Sequence, residues 1–333
     1  MRAVVYSSYG ELPAVREVAE PECPADGVVI AVAATGVCRS DWHAWRGHDP
    51  VALPHVPGHE FAGVIVERGS QVDGFAVGDR VTAPFVCGCG RCELCLSGNA
   101  QVCPEQTQPG FTGPGSFAER VVIHGAEVNL VRLPDSVDFV AAAALGCRLA
   151  TAFRAVTVHG RLAKGQWLAV YGCGGVGLSA VLVGVALGAR VVAIDPHPAA
   201  LDRARQLGAE HCLSGGDDAG VKHVGPVPID QAVRDITDGG AHVTLDAVGS
   251  PVIAATAVRS LRRRGRHVQV GLLLGEDAMT ALPMNVVIAH ELEIYGSHGM
   301  AAVDYPAMLD LITSGLLQPE RLIGSVIGLE EAG

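Results

Sequence analysis

Short runs of apolar residues broken by polar ones fill the first third of the chain: AVVYSS, VVIAVAATG, FAGVIVERG, DRVTAPF and FAERVVI. Each is rich in Val, Ile or Phe and is set off by glycine and proline turns, which predicts strands and an irregular all-β region. From about Ala150 the texture changes. WLAVYG, LSAVLVGVALGA, RVVAID and PAALDRARQLG alternate apolar strands with Ala-rich amphipathic helices, the rhythm of a βαβ unit. VTLDAVG and GRHVQVGLL continue that rhythm after a polar, Gly-rich stretch from Ser214 to Gly240 that reads as exposed. The two textures meet near Leu149. With no internal repeat, low-complexity tract or long linker, the two parts are expected to pack directly on each other with a cleft between them.

Composition narrows the class. A chain of 333 residues is long enough for two domains, and its 49% hydrophobic content suits a soluble enzyme with no apolar run able to span a bilayer. A formal net charge of −11 argues against nucleic acid or an anionic membrane surface as the main partner, because both demand a basic face. A small molecule fits better. Met1 opens no positively charged, apolar secretory leader, so the expected location is the cytoplasm, where thiols stay reduced.

That setting decides how the cysteines are read. In CGRCELCLSGNAQVC, the residues Cys89, Cys92, Cys95 and Cys103 can close a tetrahedral shell around one zinc ion, and a disulfide framework is the weaker alternative. A zinc with four cysteine ligands holds a loop together and has no open position for substrate, so catalysis must come from elsewhere.

Gly172-Cys173-Gly174-Gly175-Val176-Gly177 follows the strand WLAVY and opens a helix, the context in which a G-x-G-x-x-G pattern binds a dinucleotide. Gly172 permits the tight turn, Gly174 admits the pyrophosphate to the backbone, and Gly177 lets the helix pack on the strand, while the helix N-terminus offers free N–H groups. Asp195 ends the next strand, where a carboxylate accepts from the adenosine ribose hydroxyls and repels a 2′-phosphate. NAD is therefore expected over NADP, and no arginine follows until Arg203.

GVCRSDWH with Cys38, PGHEFAG with His59 and Glu60, and ALGCRLATAF with Cys147 hold further potential ligands. Two thiolates and one imidazole leave a zinc an open fourth position. Taken singly, Cys147 reads as a small core residue and His59 as a turn residue, and spacing alone does not join segments so far apart.

The motifs together resemble those of the zinc-dependent alcohol dehydrogenases of the medium-chain dehydrogenase/reductase superfamily, and the resemblance runs from Met1 nearly to Gly333. It implies an α/β chain with a GroES-like β-rich catalytic domain (residues 1–148), a Rossmann doubly wound parallel-sheet domain (149–297) and a return to the catalytic domain (298–333). It implies two zinc ions per chain: a catalytic one held by Cys38, His59 and Cys147 with Glu60 behind it as an occasional ligand, and a structural one at the four-cysteine lobe. Cys87 is one thiol too many there, and the family spacing selects Cys89 as first ligand. Cys23, Cys173 and Cys212 read as ordinary thiols.

The resemblance also implies the chemistry: reversible oxidation of primary or secondary alcohols to aldehydes or ketones, with hydride passing to NAD and zinc polarising the substrate oxygen. Asp41 matches the carboxylate that orients His59, Ser40 the hydroxyl that starts a proton relay, and His43 the histidine that continues it. Arg39 resembles a pyrophosphate contact and Thr151 a neighbour of the nicotinamide. Trp42, Trp45, Phe85 and Phe111 are either apolar cleft surface or packing, and His48, His55, His124, His159 and His267 default to turn or surface roles. ELEIYGSHG resembles a strand that pairs across subunits, which implies a homodimer or homotetramer. SVIGLEEAG reads as a strand entering a helix, and the family usually extends beyond it, so the chain reads as truncated. A polyol or amino-alcohol dehydrogenase is the second reading; a catalytically silent nucleotide-binding protein would need a broken ligand position, and none is broken.

Overall fold

The computed structural model describes residues 1–215, 223–224 and 227–333. By compactness these form two units, Met1–Ala150 with Gly299–Gly333, and Thr151–His298.

In the first unit β1 (Arg2–Val5) and β2 (Ala14–Glu17) form an antiparallel pair. A five-stranded antiparallel sheet follows, built from β3 (Val28–Gly36), β4 (Glu60–Arg68), β5 (Arg80–Thr82), β6 (Arg120–Ile123) and β7 (Val131–Arg132) in the order β6-β3-β4-β5-β7. The period-two pattern explains it: Val28 lies opposite Ile123, and Ile30 sits between Val121 and Ile65, all buried with Phe61 and Val81 in one core. β2 escaped sequence reading because AVRE carries no apolar alternation.

Short helices interrupt this region, which is not all β: α1 (Arg39–Trp45), α2 (Glu93–Leu96), α3 (Ala126–Asn129) and α4 (Phe139–Ala143). None is long enough to show a helical period. α4 starts where Asp138 accepts the N–H groups of Val140 and Ala141, and the chain then widens into a π-helical turn over Leu145–Leu149. The Gly146 carbonyl in that turn accepts the Phe85 N–H at 3.0 Å and the Tyr305 hydroxyl at 3.5 Å, which fixes the backbone around Cys147. The expected strand in SVIGLEEAG does not form. Residues 323–328 join no ladder, and Leu329–Glu331 makes a 3-10 turn tied to β1 by an Arg2–Glu330 ion pair at 2.6 Å.

The second unit starts within α5 (Ala150–Arg154) and carries six parallel strands: β8 (Trp167–Tyr171), β9 (Arg190–Asp195), β10 (His211–Ser214) and, after a small antiparallel ribbon of β11 (His223–Val224) and β12 (Val227–Pro228), β13 (Ala241–Asp246), β14 (Leu261–Gln269) and β15 (Glu293–Gly296). Their order is β10-β9-β8-β13-β14-β15, a doubly wound sheet whose direction of winding reverses between β8 and β13. Helices α6 (Gly175–Ala186), α7 (Pro198–Leu207), α8 (Ile229–Ile236), α9 (Pro251–Arg259) and α10 (Met284–His290) accompany it. β8 is buried along its whole length, as expected of a central parallel strand.

The stretch from Ser214 to Gly240 is not simply exposed. α8 buries Ile229 and Val233 against the sheet core, whereas residues 216–222 and 225–226 lie outside the described residues. Two histidines also depart from expectation. His55 is buried with Nε2 2.8 Å from the Gly110 carbonyl, and His267 is buried between Thr244 and Gln269. Each side chain packs inward because its polar nitrogens find partners there. No helix among the described residues is long and apolar enough to cross a membrane.

Candidate functional site

Asp41 organises the first cluster. Cys38 is the N-cap of α1, and the Asp41 Oδ2 three residues on accepts the Cys38 N–H at 2.9 Å, fixing the cysteine at the helix start. Oδ1 accepts the Gly58 N–H at 3.2 Å and lies 3.0 Å from His59 Nδ1. Gly58 has a φ of +104°, and a Cβ there would meet the Phe117 ring at 2.5 Å, so a glycine is needed to bring this N–H to the carboxylate. His59 is thus held through Nδ1, and its Nε2 is buried with no hydrogen-bond partner.

That orphaned nitrogen has company. Ligand atoms of Cys38, His59, Glu60 and Cys147 all lie within 4.8 Å of one another, and all four residues are buried. A hydrogen bond from Cys147 pulls the Cys38 thiol down to about 3 against the effect of burial, while the same contact and burial push Cys147 well up. Burial works against protonation of His59, but the Asp41 charge, its hydrogen bond and Cys38 together raise the imidazole to about 10. The Cys38 thiolate and the protonated His59 imidazole thus stabilise each other. A divalent cation in place of the protons leaves two thiolates with an oriented imidazole, a donor set suited to zinc.

Glu60 stands differently from the other three. Its fully buried carboxylate accepts the Arg148 backbone N–H at 3.2 Å and Nε–H at 2.9 Å through Oε1, and Nη2–H at 2.6 Å through Oε2. Burial pushes this carboxyl up and Arg148 pulls it back. Gly36 lies directly opposite Glu60 in the β3–β4 ladder, and a Cβ there would come within 2.5 Å of Oε2. Arg148 and Gly36 were not singled out by sequence reading. The available signal was an arginine inside the apolar run ALGCRLATAF, which must find a counter-charge if the run is buried.

Cys89, Cys92, Cys95 and Cys103 form a second cluster with all sulfurs within 4.8 Å of one another. Turns between them bring N–H groups to sulfur: Cys95 N–H to Cys92 Sγ at 3.5 Å and Cys89 N–H to Cys103 Sγ at 3.4 Å. Cys87 stands apart. It is packed in the core of the sheet, its thiol faces the Pro84 carbonyl at 3.5 Å, and burial pushes it up to about 12.

In the second unit the loop Gly172–Gly177 joins β8 to α6 at the reversal point of the sheet. The glycines divide their work as follows. Gly172 has a φ of +86°, a Cβ on Gly177 would sit 1.7 Å from the Gly172 carbonyl oxygen, and a Cβ on Gly174 would meet nothing within 4 Å. Only the last faces open space, as a phosphate approach requires. Gly175 and Val176 begin α6 and place their N–H groups in its first turn. Asp195, at the end of β9, accepts the Cys173 N–H at 2.7 Å through Oδ2 and the His197 N–H at 2.8 Å through Oδ1. Cys173 is buried, and burial pushes its thiol up, so it is not a reactive group.

Ser40 lies 3.8 Å from Cys38 Sγ in α1. On the same helix Arg39 stacks on Trp42 at 4.0 Å, and His43 Nδ1 lies 3.3 Å from His48 Nδ1. Thr151 is buried at the start of the second unit. Of the aromatics, Phe111 and Phe85 flank His59 with ring centres 5.0 and 6.2 Å away, whereas the Trp45 indole N–H is held by the Glu11 carbonyl.

Residues 24–135 match the alcohol dehydrogenase GroES-like domain, and residues 175–314 match the zinc-binding dehydrogenase family. The chain is 37% identical to an alcohol dehydrogenase of Geobacillus stearothermophilus over 277 residues, covering 82% of this chain and 78% of the relative. It is 33% identical to a sorbitol dehydrogenase of Halalkalibacterium halodurans, covering 97% and 91%. Among solved structures, the alcohol dehydrogenase TADH from Thermus sp. ATN1 superposes with a TM-score of 0.90 at 32% identity, covering all of this chain and 94% of that one. With a GroES-like unit, a doubly wound nucleotide-binding sheet and both cysteine clusters, the chain belongs to the zinc-dependent alcohol dehydrogenases of the medium-chain superfamily.

Proposed function

We propose that the protein oxidises primary or secondary alcohols reversibly to aldehydes or ketones with NAD, using Cys38, His59 and Cys147 to hold a catalytic zinc. The observation that carries this is the buried, unpartnered Nε2 of His59 beside two cysteine sulfurs, with Nδ1 pinned by Asp41. Zinc supplies a Lewis acid for the substrate oxygen, and NAD supplies the hydride acceptor.

The chain's own groups do the rest. Ser40 starts the proton relay from the substrate hydroxyl, giving up its own proton as it takes that one, and His43 carries the proton on toward solvent. Asp41 keeps His59 in one tautomer and orientation. In the second unit Gly174, Gly175 and Val176 take the pyrophosphate, Asp195 the ribose hydroxyls and Thr151 a place by the nicotinamide; Arg39 of the first unit keeps the pyrophosphate role that the family resemblance gives it. Cys89, Cys92, Cys95 and Cys103 hold the structural zinc. Phe85 and Phe111 beside His59 favour a substrate with an apolar substituent, since their rings offer a polyol no hydrogen bond. The polyol reading rests on the sorbitol dehydrogenase relative. Ten free cysteines fit a reducing cytoplasm, and the edge strand β15, with Ile294 exposed, fits pairing with a second copy in a homodimer or homotetramer.

The test is NADH formation by zinc-loaded protein with linear, branched and aromatic alcohols and sorbitol, run in parallel with NADP. Turnover of apolar alcohols with NAD supports the proposal. Turnover of sorbitol alone moves the assignment to polyols, and no turnover of any substrate rejects both.

A further inference from the structure

We infer that His48 is the outer station of the proton path, taking the proton from His43 and handing it to bulk water. The inference rests on His43 being the relay histidine of the proposed function. His43 is half-buried on α1, and its Nδ1 is engaged 3.3 Å from the Nδ1 of His48. Only Nε2 of His43 is therefore left to receive a proton from the substrate side. A relay must be able to discharge through its other nitrogen, and that nitrogen faces His48.

His48 is built into place and not merely nearby. Its backbone N–H donates to the His43 carbonyl at 2.9 Å, closing a turn just beyond the end of α1, and Gly47 makes that turn with a φ of +75°. Trp42 packs against both imidazoles in T-shaped contacts, with ring centres 5.0 Å from His43 and 5.4 Å from His48. The His48 side chain itself is exposed, so a proton arriving on it leaves directly to water.

Charge favours the outward direction. Burial lowers the affinity of His43 for a proton, and Arg39 and His48 lower it further, while Asp49 and Cys38 oppose them. A proton placed on His43 is thus easily given up. The transfer balances without a co-reactant: alcohol and NAD become carbonyl and NADH, and the one proton released moves from His43 Nδ1 to His48 Nδ1 while His48 Nε2 releases one to water. A mutant lacking the outer imidazole must discharge His43 directly to solvent, which a mobile buffer base can assist.

The experiment uses zinc-loaded enzyme, NAD and one turned-over alcohol, with His48→Gln and His43→Gln compared with the parent across pH and across imidazole buffer concentration. For His48→Gln the expected result is a loss in kcat/KM near neutrality of about threefold to tenfold, below the range for a primary acid–base group. Added imidazole restores it, while melting temperature and KM for NAD stay unchanged. Loss without imidazole rescue makes His48 a packing residue and overturns the inference. Parent-like behaviour of His48→Gln alongside an impaired His43→Gln overturns it alone. Parent-like behaviour of His43→Gln sinks the relay reading, and this inference with it.

Discussion

The Glu60 carboxylate meets the Arg148 guanidinium edge to edge, Nε at 2.9 Å and Nη2 at 2.6 Å, immediately beside the Cys38, His59 and Cys147 cluster. Both oxygens of Glu60 are thereby committed to arginine. The carboxylate is fully buried and the guanidinium mostly so, which makes this an interior ion pair whose members depend on each other. Arg148→Met leaves a buried acid with no counter-charge and is expected to cost about 3–5 kcal/mol in urea unfolding at neutral pH. Glu60→Gln in the same chain removes the stranded charge, so the double variant should be more stable than the sum of the two single losses predicts. Additive losses would show that the pair is not energetically coupled.

Gly36 makes room for this pair. Its place opposite Glu60 in the β3–β4 ladder would put an added Cβ 2.5 Å from Glu60 Oε2 and 3.2 Å from Arg148 Nη2. Gly36→Ala is expected to destabilise by roughly 1–3 kcal/mol, as overpacking does. Gly113→Ala, where a Cβ meets nothing within 4 Å, serves as the control and should be near neutral. Equal thermal shifts for the two variants would remove the steric argument.

These two residues also mark the limit of what the sequence discloses. Continuous apolar runs bounded by turns, such as VVIAVAATG and RVVAID, announce β3 and β9, and the five consecutive buried residues of β9 show a strand covered on both faces. The loop Gly172–Gly177 is equally legible, since each glycine answers a local steric demand. The Cys38, His59 and Cys147 cluster is not legible by spacing, because it depends on where β4 starts, on the cap of α1 and on a π-helical turn, and only family resemblance joined the three segments. Arg148, Gly36 and the Gly58 N–H are long-range contacts with no local signature. α8 was missed because its two core residues sit in an otherwise polar stretch, and the SVIGLEEAG strand was over-read because β propensity alone does not supply a ladder partner.

Buried His55 gives a pH dependence of stability. Burial depresses its proton affinity, against a hydrogen bond to the Gly110 carbonyl that acts the other way. Its pKa is therefore lower folded than unfolded, so the unfolded chain binds more protons at mildly acidic pH. The stabilisation from a neutral His55 is complete above the unfolded value of about 6.5 and is lost as pH falls toward the lower folded value. Zinc-loaded parent and His55→Gln are compared by urea unfolding between neutral and mildly acidic pH. The parent should lose stability more steeply than the variant, and parallel curves would sink the assignment.

The cysteine clusters separate by metal content. Cys103→Ser breaks the shell of Cys89, Cys92 and Cys95 and should leave about one zinc per chain by elemental analysis, with a lowered melting temperature. Cys87→Ala touches only the core of the sheet and should keep about two zinc per chain, at the modest stability loss of a small cavity. Loss of metal from Cys87→Ala would mean that the lobe is ligated in a different register.

Asp195 is the residue on which cofactor choice turns, and its hydrogen bonds complicate the obvious experiment. One oxygen holds the Cys173 N–H inside the phosphate loop, and the other holds the His197 N–H beyond the strand. Asp195→Ala removes the ribose acceptor, the repulsion of a 2′-phosphate and both loop anchors at once. Asp195→Asn keeps one oxygen acceptor and loses only the charge and one acceptor. A hydrogen bond to a charged group contributes about 1.5–3 kcal/mol, so Asp195→Ala should raise KM for NAD by roughly 10- to 100-fold. Asp195→Asn should raise it less and should narrow the preference for NAD over NADP, because the 2′-phosphate no longer meets a carboxylate. Melting temperature separates the causes: Asp195→Asn keeps one of the two loop anchors and Asp195→Ala neither, so a larger drop in Asp195→Ala identifies the anchors, while an unchanged NAD preference in both variants would place cofactor discrimination away from Asp195.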